Sequence, residues 1–173
     1  IIKVLLPQPL APGASIEITT PFHVQLPKNF SRGGHVGQSY QITQWYPKPA
    51  VYDWKGWHPM PYLDQGEFYS EFGNYEVKVT VPKTYVVLSS GDLQNEEEKN
   101  WLKERSLNYK PPATQKKPAN SKTKKSHNSS SVSKPKEETK TLLYKQNNIH
   151  HSARFADKKY IGGYDTIQLS TTH

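Results

Sequence analysis

The clearest regular pattern of the chain lies at residues 75–81, where apolar and polar side chains alternate. One face holds a Tyr and three Val residues, and the other face holds Glu, Lys and Thr. A period of two residues is typical of a β-strand with one buried face and one face in water. A second apolar run at residues 85–89 follows a break at Pro82 and ends before Gly91. We predict that these two strands are antiparallel neighbours in one sheet.

Three further segments have the composition of strands. Residues 15–20 alternate between apolar and polar side chains, residues 141–145 are rich in Leu, Thr and Tyr, and residues 167–170 contain Ile and Leu between polar neighbours. β-Branched and aromatic residues in short runs favour extended backbone. The sequence therefore predicts a strand in each segment.

A change of pattern after residue 94 predicts a helix. Asn95 is a suitable N-cap residue, and the three Glu residues at 96–98 occupy the first turn, where the helix dipole stabilises acids. Trp101, Leu102, Arg105 and Leu107 follow within the same segment. Because prolines at 111 and 112 are incompatible with a continuing helix, we predict a short helix within residues 95–109.

Most of the positive charge belongs to one polar tract. The whole chain has a net charge of +8, and residues 99–145 hold 13 of its 23 Lys and Arg residues but only 3 of its 15 acids. Residues 111–138 contain almost no apolar side chains. Such a tract cannot bury enough surface to offset the entropy lost on ordering, so we predict that it is disordered.

The tract is a weak candidate for nucleic-acid binding. Residues 116–136 contain no aromatic side chain that could stack on bases, although a flexible basic tract can still attract polyanions through charge alone. Without this tract the chain is mildly acidic, with ten basic and twelve acidic residues. We therefore expect no nucleic-acid partner.

These segments together predict an all-β fold with one short helix and a disordered basic insertion. Residues 1–94 form the first part of a β-sheet domain, 95–109 the helix, 110–140 the insertion, and 141–173 the continuation of the sheet domain. Both ends lie in strand-like composition, which indicates a fragment of a longer protein. No run of about 18 apolar residues occurs, so no membrane span is expected.

Motifs of several enzyme classes are missing from the sequence. The chain has no cysteine, none of its seven histidines lies in an H-E-x-x-H motif, and no G-x-S-x-G motif occurs. The glycine-rich residues 33–37 lack the Lys-Ser/Thr pair of a P-loop, and we predict a turn with positive φ there. The sequence predicts neither a metal site nor a catalytic residue in this chain.

Four acids near the aromatic residues could supply paired carboxylates for acid–base chemistry. They are Asp53, Asp64, Glu67 and Glu71. Nothing in their spacing places them near one another, so we expect them to be solvated.

An aromatic block at residues 44–73 is the most unusual part of the composition. It holds three of the four Trp residues, together with many Tyr, Pro and Gly residues. Such residues can form a contact surface or line a pocket, and they can equally fill the core of a small β domain. The sequence leaves both possibilities open.

The aromatic block also carries a resemblance to a known family. The run Q-W-Y-P-K-P-A-V-Y-D at residues 44–53, with the segments at 56–58, 61–63 and 66–73, resembles bacterial aminopeptidases of the gluzincin class, familiar from Bacteroidetes-like bacteria. Similar blocks follow at residues 90–93, 95–99 and 148–157. The resemblance covers nearly all of the chain except about residues 108–140.

The resemblance implies a saddle-like or β-sandwich amino-terminal domain of the aminopeptidase N type. In that family the next domain supplies a G-x-M-E-N strand, the H-E-x-x-H helix and the zinc ion, and none of those residues lies in this chain. Zinc is thus expected only in the missing catalytic domain. The resemblance also favours a periplasmic, cell-envelope or secreted location.

Within this domain the family places a loop Gln or Glu near the amino end of the substrate. Gln44 is the best match to that position, and Tyr46 is an alternative, because the alignment needs a gap after Gln44. The last block departs from the family, since His151 and Arg154 stand where relatives often have Asp and Trp.

Three functions are consistent with these observations, the third being attachment to anions or surfaces through the basic tract. The first is a substrate-flanking domain of a zinc-dependent aminopeptidase, with its own catalytic domain and a peptide substrate as partners. The second is a stand-alone β-sandwich module that binds a partner through the aromatic block.

Overall fold

The computed structural model describes residues 1–61, 63, 65–66, 69–110 and 137–162. Within those residues the fold is mostly β, with one helix and several antiparallel sheets, which confirms the predicted all-β class with one short helix. The strands are β1 Gly34–Val36, β2 Ser39–Ile42, β3 Val51–Asp53, β4 Gly56–His58, β5 Gly73–Pro82, β6 Val86–Ser89, β7 Asp92–Leu93, β8 Thr139–Ile149 and β9 Arg154–Asp157; the helix is α1 Glu96–Leu107.

The strands form two sheets and a separate hairpin. The four-stranded sheet has the order β1-β2-β9-β6, the three-stranded sheet has the order β5-β8-β7, and β3 pairs with β4. All of these pairs are antiparallel. Because β8 and β9 follow the basic tract in sequence but pair with strands that precede it, both sheets combine early and late parts of the chain.

The strand at 75–81 is confirmed as β5, but its predicted neighbour is wrong. β5 pairs with β8, with Val77 opposite Tyr144, whereas β6 pairs with β9 in the other sheet. The turn that joins β5 to β6 leads the chain from one sheet into the other instead of closing a hairpin. Alternation identifies a strand's buried face and gives no information about its partner.

Helix α1 confirms the prediction for residues 95–109. Asn95 stands at the N-cap position, but its side chain makes no capping hydrogen bond. Its Oδ1 accepts from the Leu143 backbone N–H at 2.7 Å and its Nδ2 donates to the Thr141 carbonyl at 3.4 Å. The residue predicted as a cap therefore attaches the start of the helix to β8.

A buried ion pair also joins α1 to β8. The Lys140 Nζ lies 2.6 Å from Glu98 Oε1 and 4.0 Å from the centre of the Trp101 ring. Glu98 is buried although it belongs to the acidic first turn. Its charge is therefore compensated by a cation from a strand as well as by the helix dipole.

The core lies between the two sheets and the helix. Its buried members are Tyr85, Val86, Val87, Leu93, Leu102, Leu142, Tyr144 and Ala156. The Tyr144 hydroxyl of β8 donates to the Val87 carbonyl of β6 at 2.9 Å, so the polar end of this buried ring links the two sheets.

Residues 1–27 contain no strand, and the predicted strand at 15–20 is wrong. Ile16 and Ile18 are about half exposed, and no hydrogen-bonded strand partner accompanies them among the described residues. The alternating pattern is present, but no facing surface covers its apolar side, and an extended segment without such a surface gains too little to form a sheet.

The predicted positive φ in the glycine-rich segment is confirmed, first at Gly34 at the start of β1, whose φ is +129°. A side-chain carbon added there would lie 2.7 Å from the Asn29 Cα, so a residue without a side chain is required. Gly37 also has positive φ and forms the turn between β1 and β2.

Three predictions concern residues 110–140, 141–145 and 167–170, of which the structure describes only a part. Strand β8 begins at Thr139 and includes the predicted strand at 141–145. The predicted strand at 167–170 and residues 111–136 of the predicted insertion lie outside the described residues. No helix in the described ranges is long and apolar enough to cross a membrane.

Helix α1 offers a matched test of this packing. Leu102 is 1% exposed and Leu107 is 78% exposed. We expect Leu102→Ala to lower the free energy of unfolding by about 2–5 kcal/mol, because it leaves a cavity in the core. Leu107→Ala should change it by less than about 0.5 kcal/mol. Urea denaturation followed by tryptophan fluorescence measures both, and equal losses would contradict the described packing.

Candidate functional site

Gln44 lies directly after β2 in a strained backbone conformation. Its φ is +49°, which is uncommon for a residue with a side chain. The Gln44 backbone N–H donates to His151 Nε2 over 3.0 Å. This bond holds the loop in place, and the side-chain amide of Gln44 has no hydrogen-bond partner within the part of the chain that the structure describes.

The Tyr46 hydroxyl is the centre of a polar network. It donates to the Tyr75 hydroxyl at 2.9 Å, accepts from the Ser152 backbone N–H at 3.3 Å, and lies 3.3 Å from His151 Nδ1. Because His151 Nε2 already accepts from Gln44, the neutral imidazole carries its hydrogen on Nδ1. His151 then donates to Tyr46, and the hydroxyl's hydrogen-bonding capacity is used within the chain.

Burial shifts the acid–base properties of both rings in this network. Burial is the largest cause that raises the pKa of Tyr46, and the hydrogen bond with Tyr75 adds to it. The pKa of His151 is lowered, first by burial and then by the positive charge of Lys48 and by His150. Both groups are therefore held neutral, which matches their role as hydrogen-bonding supports.

Trp45 is fixed on the same segment by a different set of contacts. Its indole N–H donates to the Ser152 carbonyl at 3.3 Å, and the Arg154 guanidinium lies 4.7 Å from its ring centre. Arg154 is only 4% exposed, and burial lowers its pKa. Its Nη2 donates to Ser152 Oγ at 3.1 Å. The face of Trp45 thus supports a buried cation.

The β3–β4 hairpin presents the most exposed aromatic side chains of the block. Tyr52 and Trp57 are paired across the strands, with ring centres 4.9 Å apart, and each is 67% exposed. Trp54, at the turn, is 88% exposed. Val51 alone of the hairpin's large apolar residues is buried. Of the two interpretations of the aromatic block, this hairpin fits a contact surface better than a core.

The four acids near the block do not form a described pair. Asp53 Oδ1 lies 2.8 Å from His58 Nε2 and accepts from the Lys55 N–H, and these bonds, the one with His58 first, lower the pKa of Asp53. Glu71 is exposed, and Asp64 and Glu67 lie outside the described residues. Among the described residues, no three His, Cys, Asp or Glu side chains come together as metal ligands would.

The structure brings the two predicted site residues, Gln44 and Tyr46, together and gives them different surroundings. The Gln44 amide has no partner among the described residues, while Tyr46 holds the loop to residues 151 and 152. Sequence reasoning missed Tyr75, which appeared there only as the start of a strand. No pattern in the sequence linked Tyr75 to this loop, because its partner Tyr46 lies 29 residues earlier.

Comparisons with protein-family models, with curated proteins and with solved structures found no match to this chain.

Removal of one hydroxyl tests the Tyr46 network. Tyr46→Phe leaves the half-buried Tyr75 hydroxyl and the Ser152 N–H without their partner, so we expect a loss of about 1–3 kcal/mol in the free energy of unfolding. Tyr52→Phe is the matched control, because its ring is largely exposed, and we expect a change below about 0.5 kcal/mol. Chemical denaturation compares the two variants. An unchanged free energy of unfolding in Tyr46→Phe would disprove the network.

The lowered pKa of His151 predicts a dependence of stability on pH. The unfolded chain takes up a proton at this residue near pH 6.5, above the lowered pKa of the folded state. The contribution of neutral His151 is therefore complete above about pH 6.5 and is lost as pH falls through the folded pKa.

We expect His151→Gln to remove this part of the acid sensitivity, because Gln can still accept from the Gln44 N–H but cannot be protonated. His23→Gln, at an exposed position, serves as the control. Denaturation curves between about pH 8 and pH 5 give the comparison. An unchanged pH dependence in His151→Gln would count against the assignment.

Proposed function

We propose that this chain is the non-catalytic, substrate-flanking domain of a zinc-dependent aminopeptidase of the aminopeptidase N type. A catalytic domain outside this chain would hold the zinc ion and release amino-terminal residues from peptides by hydrolysis. The chain itself would bind no zinc, and its partners would be that domain and the peptide substrate. The proposal rests on the motif resemblance and on the placement of Gln44.

The surroundings of Gln44 are the observation that most directly supports this role. The backbone is fixed by the bond to His151, while no described residue occupies the donor and acceptor groups of the side-chain amide. A peptide's ammonium group is a donor only, so the amide oxygen is a suitable acceptor for it. Fixing the backbone lowers the entropy that binding would otherwise cost.

Tyr46 supports the same site indirectly. Its hydroxyl is engaged by Tyr75, His151 and Ser152, so it positions the loop and leaves substrate contact to Gln44. This division of roles refines the sequence-based expectation, in which either residue could line the substrate site.

The exposed β3–β4 hairpin supports contact with a second domain. Tyr52, Trp54 and Trp57 expose large aromatic surfaces next to one another along a short hairpin. Clustered exposed aromatic side chains are typical of protein contact surfaces. In the proposed enzyme the catalytic domain covers this hairpin.

The same hairpin also favours a second candidate function, a stand-alone β-sandwich binding or adaptor module. The coding sequence beyond residue 173 distinguishes the two candidates. An H-E-x-x-H motif within about two hundred residues would support the aminopeptidase. A stop codon directly after residue 173 would instead support the adaptor module.

Kinetics of the longer protein test the role of Gln44. We expect the full-length enzyme to contain zinc and to hydrolyse aminoacyl p-nitroanilides. Gln44→Ala should lower kcat/KM by about 10- to 100-fold, the effect of losing one hydrogen bond to a charged group. Gln38→Ala, in the exposed β1–β2 turn, should have no effect.

Two results would contradict the proposal. One is anilide hydrolysis by residues 1–173 alone, because the proposed catalytic groups lie outside them. The other is a full-length protein that carries zinc and cleaves the anilide with Gln44→Ala as active as wild type, which would remove Gln44 from the substrate site.

A further inference from the structure

Two polar side chains of the aromatic block, Lys48 and Ser70, meet His150, which directly follows β8. Ser70 Oγ lies 2.8 Å from His150 Nε2 and 2.7 Å from Lys48 Nζ. The same Lys48 Nζ donates to the His150 carbonyl oxygen at 2.7 Å. Lys48 therefore holds both the serine and the backbone of the histidine, and the three groups form a closed cluster.

The hydrogen-bond directions in this cluster follow from its chemistry. A lysine ammonium only donates, so Ser70 Oγ accepts from Lys48. The serine hydrogen is then free to point at His150 Nε2, which accepts in the neutral imidazole. A hydroxyl that donates to a histidine while a cation lies at its oxygen has the arrangement of an activated nucleophile.

Lys48 has no acidic partner among the described residues. Its described polar partners are two neutral oxygens, and none of the described carboxylates forms an ion pair with it. Burial lowers the pKa of Lys48. Negative charge that develops on Ser70 Oγ would therefore meet an ammonium group that no described carboxylate compensates.

The reacting oxygen can be reached from solvent. Ser70 is half-buried and His150 is exposed. Phe72 is 62% exposed and packs edge-on against the His150 ring, with ring centres 5.4 Å apart. Its free face offers an apolar surface beside the nucleophile, which suits the apolar part of an ester.

We propose that Ser70 is a reactive serine that accepts an acyl group from activated esters, with His150 as general base and Lys48 as the stabilising cation. This activity is separate from the proposed peptide hydrolysis, in which the chain takes no catalytic part, because it uses none of the groups assigned there and needs no zinc.

The proposed step conserves atoms and charge. The Ser70 oxygen forms a bond to the ester carbonyl carbon, and its proton passes to His150 Nε2. The bond from that carbon to the leaving oxygen breaks, and the leaving alkoxide takes the proton from His150 and departs as an alcohol. Water, deprotonated by His150, can then release the acyl group as a carboxylic acid and restore the Ser70 hydroxyl.

A fluorophosphonate probe tests this reactivity on the full chain. The serine oxygen displaces fluoride from phosphorus, and peptide mass spectrometry locates the adduct. We expect one adduct per chain, on Ser70, and none in Ser70→Ala. Ser89→Ala, which removes a part-buried serine hydroxyl bonded to a neighbouring carbonyl, should label like wild type. Circular dichroism confirms that each variant is folded.

Two further variants separate a reactive serine from a merely structural one. His150→Gln keeps an acceptor for Ser70 but removes the base, so labelling should slow by at least about 100-fold. Lys48→Gln should slow it by about tenfold, the effect of one hydrogen bond to a charged group.

The outcomes decide the proposal in either direction. Labelling on Ser70 that His150→Gln slows supports it. No adduct on Ser70 in the folded wild-type chain overturns it, and so does an adduct rate on Ser70 that His150→Gln leaves unchanged. Either result would leave the three side chains as a structural link between the aromatic block and the end of β8.

Discussion

The pairing of β8 with β5 on one side and β7 on the other connects the parts of the chain that pack together. Strand β8 also supplies Tyr144, whose hydroxyl bonds to β6 in the other sheet, and Lys140, which compensates the buried Glu98 of α1. Directly after β8 come the histidines that hold Gln44 and Ser70. A shift of one residue in the β8 register would turn Tyr144 out of the core and move those histidines away from their partners.

Local patterns were sufficient to predict some elements of this fold. The period of two in β5 and the acidic first turn of α1 predicted these elements correctly, since both signals are contained in a few neighbouring residues. The pairing of β5 could not be predicted in the same way, because Val77 meets Tyr144 across the basic tract. Residues 15–20 show the opposite failure: the pattern of a strand is present, but no packed surface faces it among the described residues.

The candidate site was predictable only in part for the same reason. The aromatic block indicated where a site would lie, and the resemblance selected Gln44 and Tyr46 within it. Their partner His151 is more than a hundred residues away in sequence. The adjacent histidines at 150 and 151 give no indication, in sequence, of the loop that each ring will contact. Ser70 was equally inconspicuous, because it lies in no known nucleophile motif and its neighbours come from residues 48 and 150.

The separation between β5 and its partner has a consequence during synthesis. Thr80 and Thr141 face each other across the two strands, yet 61 residues separate them. At ribosomal rates of roughly 5–20 residues per second, β5 is synthesised about 3–12 s before the facing part of β8. During that interval the Tyr and Val side chains of β5 have no native sheet partner. The nascent chain therefore exposes an unpaired apolar strand until β8 follows, and such strands are prone to aggregation.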